Sequence, residues 1–204
     1  MAAVYILNCK DFKPYLLSLQ SRISDSRRQR ALKMRKTDSL LLCIGAEICL
    51  SFALNLPLPL EYQTDGNGKP FIEGAPQFNL SHSGDYVVCA VDESPIGADI
   101  EKISRMRESV FARIASPREK ERAAALTEGE LPQYYCRVWT RKESLLKLTG
   151  EGLRKELSTV CTESEGCYHT EKIGDYILSV CLAKKKQVQT HFITEEILKK
   201  HFNI

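Results

Sequence analysis

Apolar positions along this chain recur with two periods, and the switches between them mark its elements. Val4-Tyr5-Ile6-Leu7 is a short apolar run that predicts a first strand. Phe12 to Ile23 has helical spacing and predicts a short amphipathic helix. A second helix is expected with Asp25 or Ser26 as its cap, a basic stretch, and then the apolar run Leu40 to Leu54. It stops before Pro57 and Pro59. Thr64-Asp65-Gly66-Asn67-Gly68-Lys69-Pro70 reads as a turn-rich loop. Phe78-Asn79-Leu80-Ser81-His82-Ser83-Gly84 begins like a strand and ends in small polar residues. Tyr86 to Val91 suits a buried strand, and Asp92 to Gly97 is a turn leading into Asp99-Ile100-Glu101. Two strands around a short turn predict a hairpin with the acidic pair near its tip.

The second half repeats this order loosely. Arg105 to Ile114 predicts a helix, and Ser116-Pro117-Arg118-Glu119 starts another with Pro in its first turn. Val138 to Leu148 is strongly helical and ends at Thr149-Gly150. Tyr176 to Ala183 predicts a strand, Lys184 to Lys186 a solvated turn, and Thr194 to Phe202 a terminal helix. The expectation is an α+β fold of two similar lobes in one chain, residues 1–98 and 99–204.

Composition narrows the picture. A chain of 204 residues with 43% hydrophobic and 27% charged residues reads as an ordinary soluble globular protein. The net charge of +3 gives no global polycation and no expectation of nucleic-acid binding. The charge is clustered, however: Arg22, Arg27, Arg28, Arg30, Lys33, Arg35 and Lys36 stand against Asp25 alone. That segment is either a solvated helix face or a contact surface for phosphate groups or an acidic partner. The eight cysteines show no Cys-x-x-Cys spacing and sit mostly in apolar runs, which points to reduced buried thiols rather than zinc or disulfides. The N-terminal run is too short for a signal peptide or a membrane span. A cytoplasmic monomer without a membrane partner is expected.

The chemistry concentrates in three acids. Asp99 and Glu101 are two apart, so on a strand they share a face while Ile100 points away. On the later helix, Trp139, Glu143 and Leu146 fall at i, i+4 and i+7 and share a packing face. An unpaired carboxylate there is costly to bury, and a metal ion would offset that cost. Three hard oxygen donors around one point suit Mg²⁺, which fills its remaining positions with water and phosphate. Lys142 and Lys147 would then neutralise the phosphates. Glu143 and Lys147 are also within reach of an ordinary helical ion pair. Ser81-His82-Ser83-Gly84 is open between an anion cradle and a structural turn. Ser81 and His82 face opposite ways on an extended chain, which argues against a nucleophile–base couple. No Gly-x-x-x-x-Gly-Lys-Ser/Thr loop and no Gly-x-Gly-x-x-Gly is present.

Four motifs in order complete the reading: Gly68-Lys69-Pro70; Phe78 to Gly84; Gly97-Ala98-Asp99-Ile100-Glu101-Lys102; and Trp139-x-x-Lys142-Glu143-Ser144-x-x-Lys147. The chain resembles the 4′-phosphopantetheinyl transferase superfamily, in the pseudo-dimeric surfactin-synthetase-activating type. The resemblance covers residues 25 to 160 and, in outline, the whole chain. It implies two α+β lobes with coenzyme A and Mg²⁺ between them. It also implies transfer of the phosphopantetheine arm to a serine of an apo acyl or peptidyl carrier protein. By motif, Asp99, Glu101 and Glu143 would hold Mg²⁺, with Glu143 also the base and Lys147 beside the pyrophosphate. Ser81 and His82 would contact a coenzyme A phosphate, and Lys69 and Pro70 would border the adenine. Where the family carries basic and hydroxyl residues before Gly45, this chain has Leu41 and Leu42, so Arg27, Arg28 or Arg30 would supply charge for the 3′-phosphate.

Two other classes stay in view. A metal-dependent pyrophosphohydrolase would cleave coenzyme A or a dinucleotide with no carrier present. A non-catalytic binding module would tolerate loss of Asp99 and Glu143. Carriers are acidic around their modified serine, so the Arg22 to Lys36 face would steer them.

Overall fold

The computed structural model describes residues 1–150 and 156–204. The chain runs β1 (Ala2–Asn8), α1 (Lys13–Leu19), α2 (Asp25–Leu32), α3 (Thr37–Leu54), then a small hairpin of β2 (Gln63–Thr64) and β3 (Pro70–Phe71). It continues through β4 (Gln77–Ser83), β5 (Tyr86–Asp92), β6 (Ile96–Lys102), α4 (Glu108–Ile114), α5 (Pro117–Ala124) and α6 (Leu131–Thr149). It ends with β7 (Cys167–Ile173), β8 (Tyr176–Leu182), β9 (Val188–Phe192) and α7 (Glu195–Phe202).

Two sheets organise these elements. One has the order β4-β5-β1-β9, with β1 antiparallel to β5 and parallel to β9. The other is β6-β8-β7, antiparallel throughout. Strand alternation sends side chains to both faces of each sheet. In the first sheet, Leu7, Val87 and Cys89 pack on the α1 and α3 core, including Leu16, Ile44 and Ile48. Val4, Ile6, Val88 and Ala90 face the other way, onto Ile96, Ala98, Ile100, Leu178 and Val180 of the second sheet. The far face of the second sheet receives α6, where Thr140 and Ser179 hydroxyls meet at 2.8 Å. The layers are therefore helices, sheet, sheet, helices. By length and composition α3 would cross a membrane, but 56% of it is buried inside this protein.

Several expectations are corrected. The stretch from Asp25 to Leu54 forms two helices, not one, and Ser24 is the cap, its Oγ accepting from the Arg27 amide. The stripe of Arg27 and Ala31 is buried, but Arg35 is exposed, so nothing buries one continuous helix across Lys33 to Lys36. The β5–β6 hairpin does not form. The turn at Pro95 instead passes the chain between sheets, because β6 finds its backbone partner in β8. The 98/99 division falls inside β6. In addition, β9 and α7 return to the first sheet, where Leu198 and Phe202 join its core. Strands β7 and β9, polar and only partly buried, had given no periodic signal.

Behind α6 a third apolar cluster gathers Phe111, Ile114, Tyr135 and Val138. Within it lies a buried ion pair, Lys142 Nζ to Glu119 Oε2 at 2.8 Å, with both side chains inaccessible to solvent. Glu119 also closes a capping box with Ser116 at the start of α5. Burial pushes the Glu119 carboxyl up, yet hydrogen bonds from Lys142, the Ser116 amide and Thr162 outweigh it and hold the group below its usual range. A carboxyl depressed in the folded state contributes stability that is complete above its unfolded value, about 4.3, and fades as pH falls through the folded value. Urea unfolding should show stability declining below about pH 4, and Glu119→Gln should flatten that slope relative to the parent.

Candidate active site

The site stands where the two sheets meet edge to edge without backbone pairing. Asn79, Ser81 and Ser83 alternate along β4 and point at β6. Asn79 Oδ1 accepts from the Ala98 amide at 2.9 Å, Ser81 Oγ from Ile100 at 3.3 Å, and Ser83 Oγ from Lys102 at 3.3 Å. Three side chains thus replace a neighbouring strand. The same hydroxyls donate to the acids: Ser81 to Asp99 Oδ1 at 2.8 Å and Ser83 to Glu101 Oε2 at 2.6 Å.

Helix α6 closes the site from the other side. Gly97 permits this, since a Cβ there would lie 1.9 Å from the Ser144 carbonyl oxygen and 2.5 Å from the Leu148 nitrogen. Lys147 Nζ reaches Asp99 Oδ1 at 2.6 Å, Ser81 Oγ at 3.1 Å and the Ala98 carbonyl at 3.1 Å. Lys147 therefore pairs with Asp99 across the seam rather than with Glu143 along its own helix. Lys69, from the β2–β3 hairpin, donates to the carbonyls of Ile96 and Lys147 at 3.2 and 3.1 Å. It thereby places a cation at the C-terminal end of α6, where free carbonyls favour one. Burial lowers the Lys69 pKa, with the charge of Asp65 opposing.

A cleft of about 240 Å³ opens at this junction, lined among others by Asn67, Lys69, Pro70, Asn79, Glu143 and Lys147. Two carboxylate oxygens here, Asp99 Oδ2 and Glu143 Oε1, are buried with no hydrogen-bond partner. Burial raises the Asp99 pKa against the opposing pull of Lys147, and burial followed by the Asp99 charge raises that of Glu143. Glu143 lines the lysine-bordered cleft, Asp99 lies behind it in the seam with its charge acting on Glu143, and unpartnered hard oxygens so placed suit a divalent cation. Glu101 shares this electrostatic environment but is tied to Ser83. Among the described residues, no group of three His, Cys, Asp or Glu side chains is gathered closely enough to hold a metal. The cation-ready atoms belong to Asp99 and Glu143.

The other expected residues separate. Ser81 is buried in the seam, whereas His82 faces out. Partial desolvation, then the Lys147 charge, lowers the proton affinity of the His82 imidazole, and the Arg27 charge reaches it as well. Arg27 is only 8% exposed, sits 3.7 Å from Glu47 and lies over the Tyr62 ring. Arg30 is exposed on α2. Lys142 is a correction: one residue from Glu143 is about 100° around a helix, and its ammonium is wholly buried on the side of α6 away from the sheet. It is not available to a phosphate. The sequence assigns no role to Asn67 or Asn79 and reads Ser83 only as part of the Ser81–Gly84 motif; the polar i, i+2, i+4 alternation of Asn79, Ser81 and Ser83 is the signal for the seam.

Fold and site together define a two-sheet α+β protein with an acidic, lysine-bordered cleft at the seam. The chain matches the family model of the 4′-phosphopantetheinyl transferase superfamily over residues 95–193. It is 38% identical over 125 residues to the 4′-phosphopantetheinyl transferase psf-1 of Bacillus pumilus, covering 58% of this chain and 54% of that protein. It is 37% identical over 102 residues to Sfp of Bacillus subtilis strain 168, covering 49% and 46%. With HetI of a Nostoc strain, also a 4′-phosphopantetheinyl transferase, it shares 34% over 119 residues, covering 53% and 50%. The matched regions thus span about half the length of these relatives.

The close approach at Gly97 makes a direct prediction. Gly97→Ala cannot be absorbed by a flexible side chain, because the obstructing atoms are backbone. It should destabilise the protein by the upper end of about 1–3 kcal/mol or more, read as a lowered urea midpoint, and detach Lys147 from Asp99.

Proposed function

We propose that this protein transfers the 4′-phosphopantetheine arm of coenzyme A to a serine of an apo acyl or peptidyl carrier protein, with Mg²⁺ as cofactor, releasing adenosine 3′,5′-bisphosphate. The observation that carries this reading is the pair of unpartnered oxygens on Asp99 and Glu143 beside Lys147, in a chain whose residues 95–193 match the family model of this superfamily. In this proposal the two sheets with their helices are the two lobes of a pseudo-dimer, acting as a monomer. The eight cysteines are all free, which fits a reducing, cytoplasm-like compartment.

Asp99 and Glu143 would hold Mg²⁺, with Glu101 completing the set by turning from Ser83. The bound ion supplies charge neutralisation of the pyrophosphate. The protein supplies position and proton movement, the main needs of phosphoryl-type transfer. The carrier serine Oγ forms a bond to phosphorus as the bond from phosphorus to the bridging oxygen of the departing bisphosphate breaks. The serine proton passes to the Glu143 carboxylate, directly or through one water. Lys147, released from Asp99, meets the charge growing on the departing phosphate. Lys69 and Pro70 border the adenine side of the cleft. Ser81 contributes through Lys147 and Asp99, while His82, Arg27 and Arg30 take the remaining phosphates.

Incubation with coenzyme A, Mg²⁺ and a panel of apo carriers should add the phosphopantetheine mass to at least one of them. Asp99→Asn and Glu143→Gln should each slow transfer by about 10²–10⁴-fold while keeping the parent circular dichroism. Cleavage of coenzyme A with no carrier present, or no mass gain on any carrier, would sink the reading. A second expectation concerns the exposed cations on and after α2, Arg30, Lys33, Arg35 and Lys36. If they steer an acidic carrier, the association rate should fall steeply with added salt; a flat response removes that role.

A further inference from the structure

Helix α6 is gripped from two opposite sides. On the sheet side, Gly97 lets its backbone settle directly on β6. On the outer side, the Lys142 ammonium donates to the carbonyls of Ile114 at 2.7 Å, Leu157 at 2.8 Å and Val160 at 2.7 Å, and meets Glu119 Oε2 at 2.8 Å. Glu119 in turn accepts from the Ser116 amide, the Thr162 amide and the Thr162 hydroxyl, each at 2.8 Å. Every strong bonding position of the pair is filled. The pair joins α6 to the end of α4, the start of α5 and the chain after residue 156.

Stability alone does not account for such a pair. The charges of a buried ion pair are commonly dispensable, apolar residues of like volume serving as well; here the loss would come from the backbone groups left unpaired, not from the charges. What the pair adds is direction. Apolar contacts tolerate a small roll of a helix about its axis, whereas charged hydrogen bonds to fixed carbonyls do not. Glu143 follows Lys142 by one residue, and Lys147 lies one turn further on the Glu143 side. A roll of α6 would therefore swing both relative to Asp99, which is fixed on β6 by Ser81. Lys142 itself does not line the cleft.

We propose that Lys142 and Glu119 are positioning residues that set the roll of α6 and so aim Glu143 and Lys147 at Asp99. The kinetic part of the test rests on the transferase reading; the structural part does not. Trp139, the sole tryptophan and a residue of α6, reports on the helix without any activity. In the double variant Lys142→Met/Glu119→Leu, the melting temperature should fall, because three carbonyls and the Ser116 and Thr162 amides lose their partners, and the near-ultraviolet signal of Trp139 should change in the protein that remains folded. Its kcat should fall by about tenfold to a hundredfold, with KM for coenzyme A held within about threefold. A folded double variant with parental kcat and Trp139 signal overturns the proposal. So does a raised KM with kcat intact, which would put Lys142 at the ligand. Should the double variant not fold, Thr162→Val removes one bond to Glu119 and keeps the charges. It should lower kcat several-fold at unchanged KM, and no change in kcat overturns the proposal. If the parent transfers nothing, the transferase reading fails by itself, and an unchanged Trp139 signal in the folded variant still decides against positioning.

Discussion

The structure depends on a join between two sheets that is made by side chains. Among the described residues, strand β6 has a backbone partner on one edge only, β8. On its other edge three amides would lie buried and unpaired, at about 1–3 kcal/mol for each such group. Asn79, Ser81 and Ser83 satisfy them, because the pleat of β4 presents every second side chain at the spacing of every second amide on β6. A side chain is longer than a backbone hydrogen bond, so the strands stand apart. Into this widened seam the hydroxyls bring their second function, orienting Asp99 and Glu101. The join and the site are one construction.

Three lysines show how depth and direction divide similar side chains. Lys142 is buried behind α6 and pairs with Glu119; Lys147 crosses the seam to Asp99; Lys69 holds carbonyls at the end of α6 and the start of β6. Only Lys147 and Lys69 border the cleft. The acids divide in the same way. Glu119 and Glu47 are wholly buried and fully bonded, Glu47 receiving the Ser24 amide and hydroxyl and the Leu60 amide. Asp99 and Glu143 each keep one buried oxygen without a partner. Asp92 Oδ1 is also buried without a partner, but its other oxygen is held by Lys186 at 2.6 Å, away from the seam; the Asp99 and Glu143 oxygens are the two that the seam and α6 bring toward each other.

Much of this was legible beforehand. The apolar runs located β1, β5, β8 and the core of α6, because buried strands and a helix with a packing face carry strong periodic signals. Gly150 ends α6 in the left-handed conformation, as its position after the apolar pattern required. The alternation Asp99-Ile100-Glu101 gave the facing of the acids, since Ile100 is indeed in the sheet-to-sheet core. Strands β7 and β9 were not legible, because half-exposed polar strands lack that contrast. Nor was the fate of Lys142, which only the position of Glu119, from a distant helix, could settle.

Local sequence determined which residues can share a face, where helices begin and end, and which acids and lysines the chain offers. Those follow from backbone periodicity and capping, which act within a few residues. The tertiary structure decided which faces meet. It sent β6 to a different sheet from β5, returned β9 and α7 to the first sheet, turned Lys142 inward, and coupled Lys147 to Asp99 instead of Glu143. Each of these choices depends on partners distant in the chain and on the cost of leaving buried polar groups unpaired, and no local pattern contains that information.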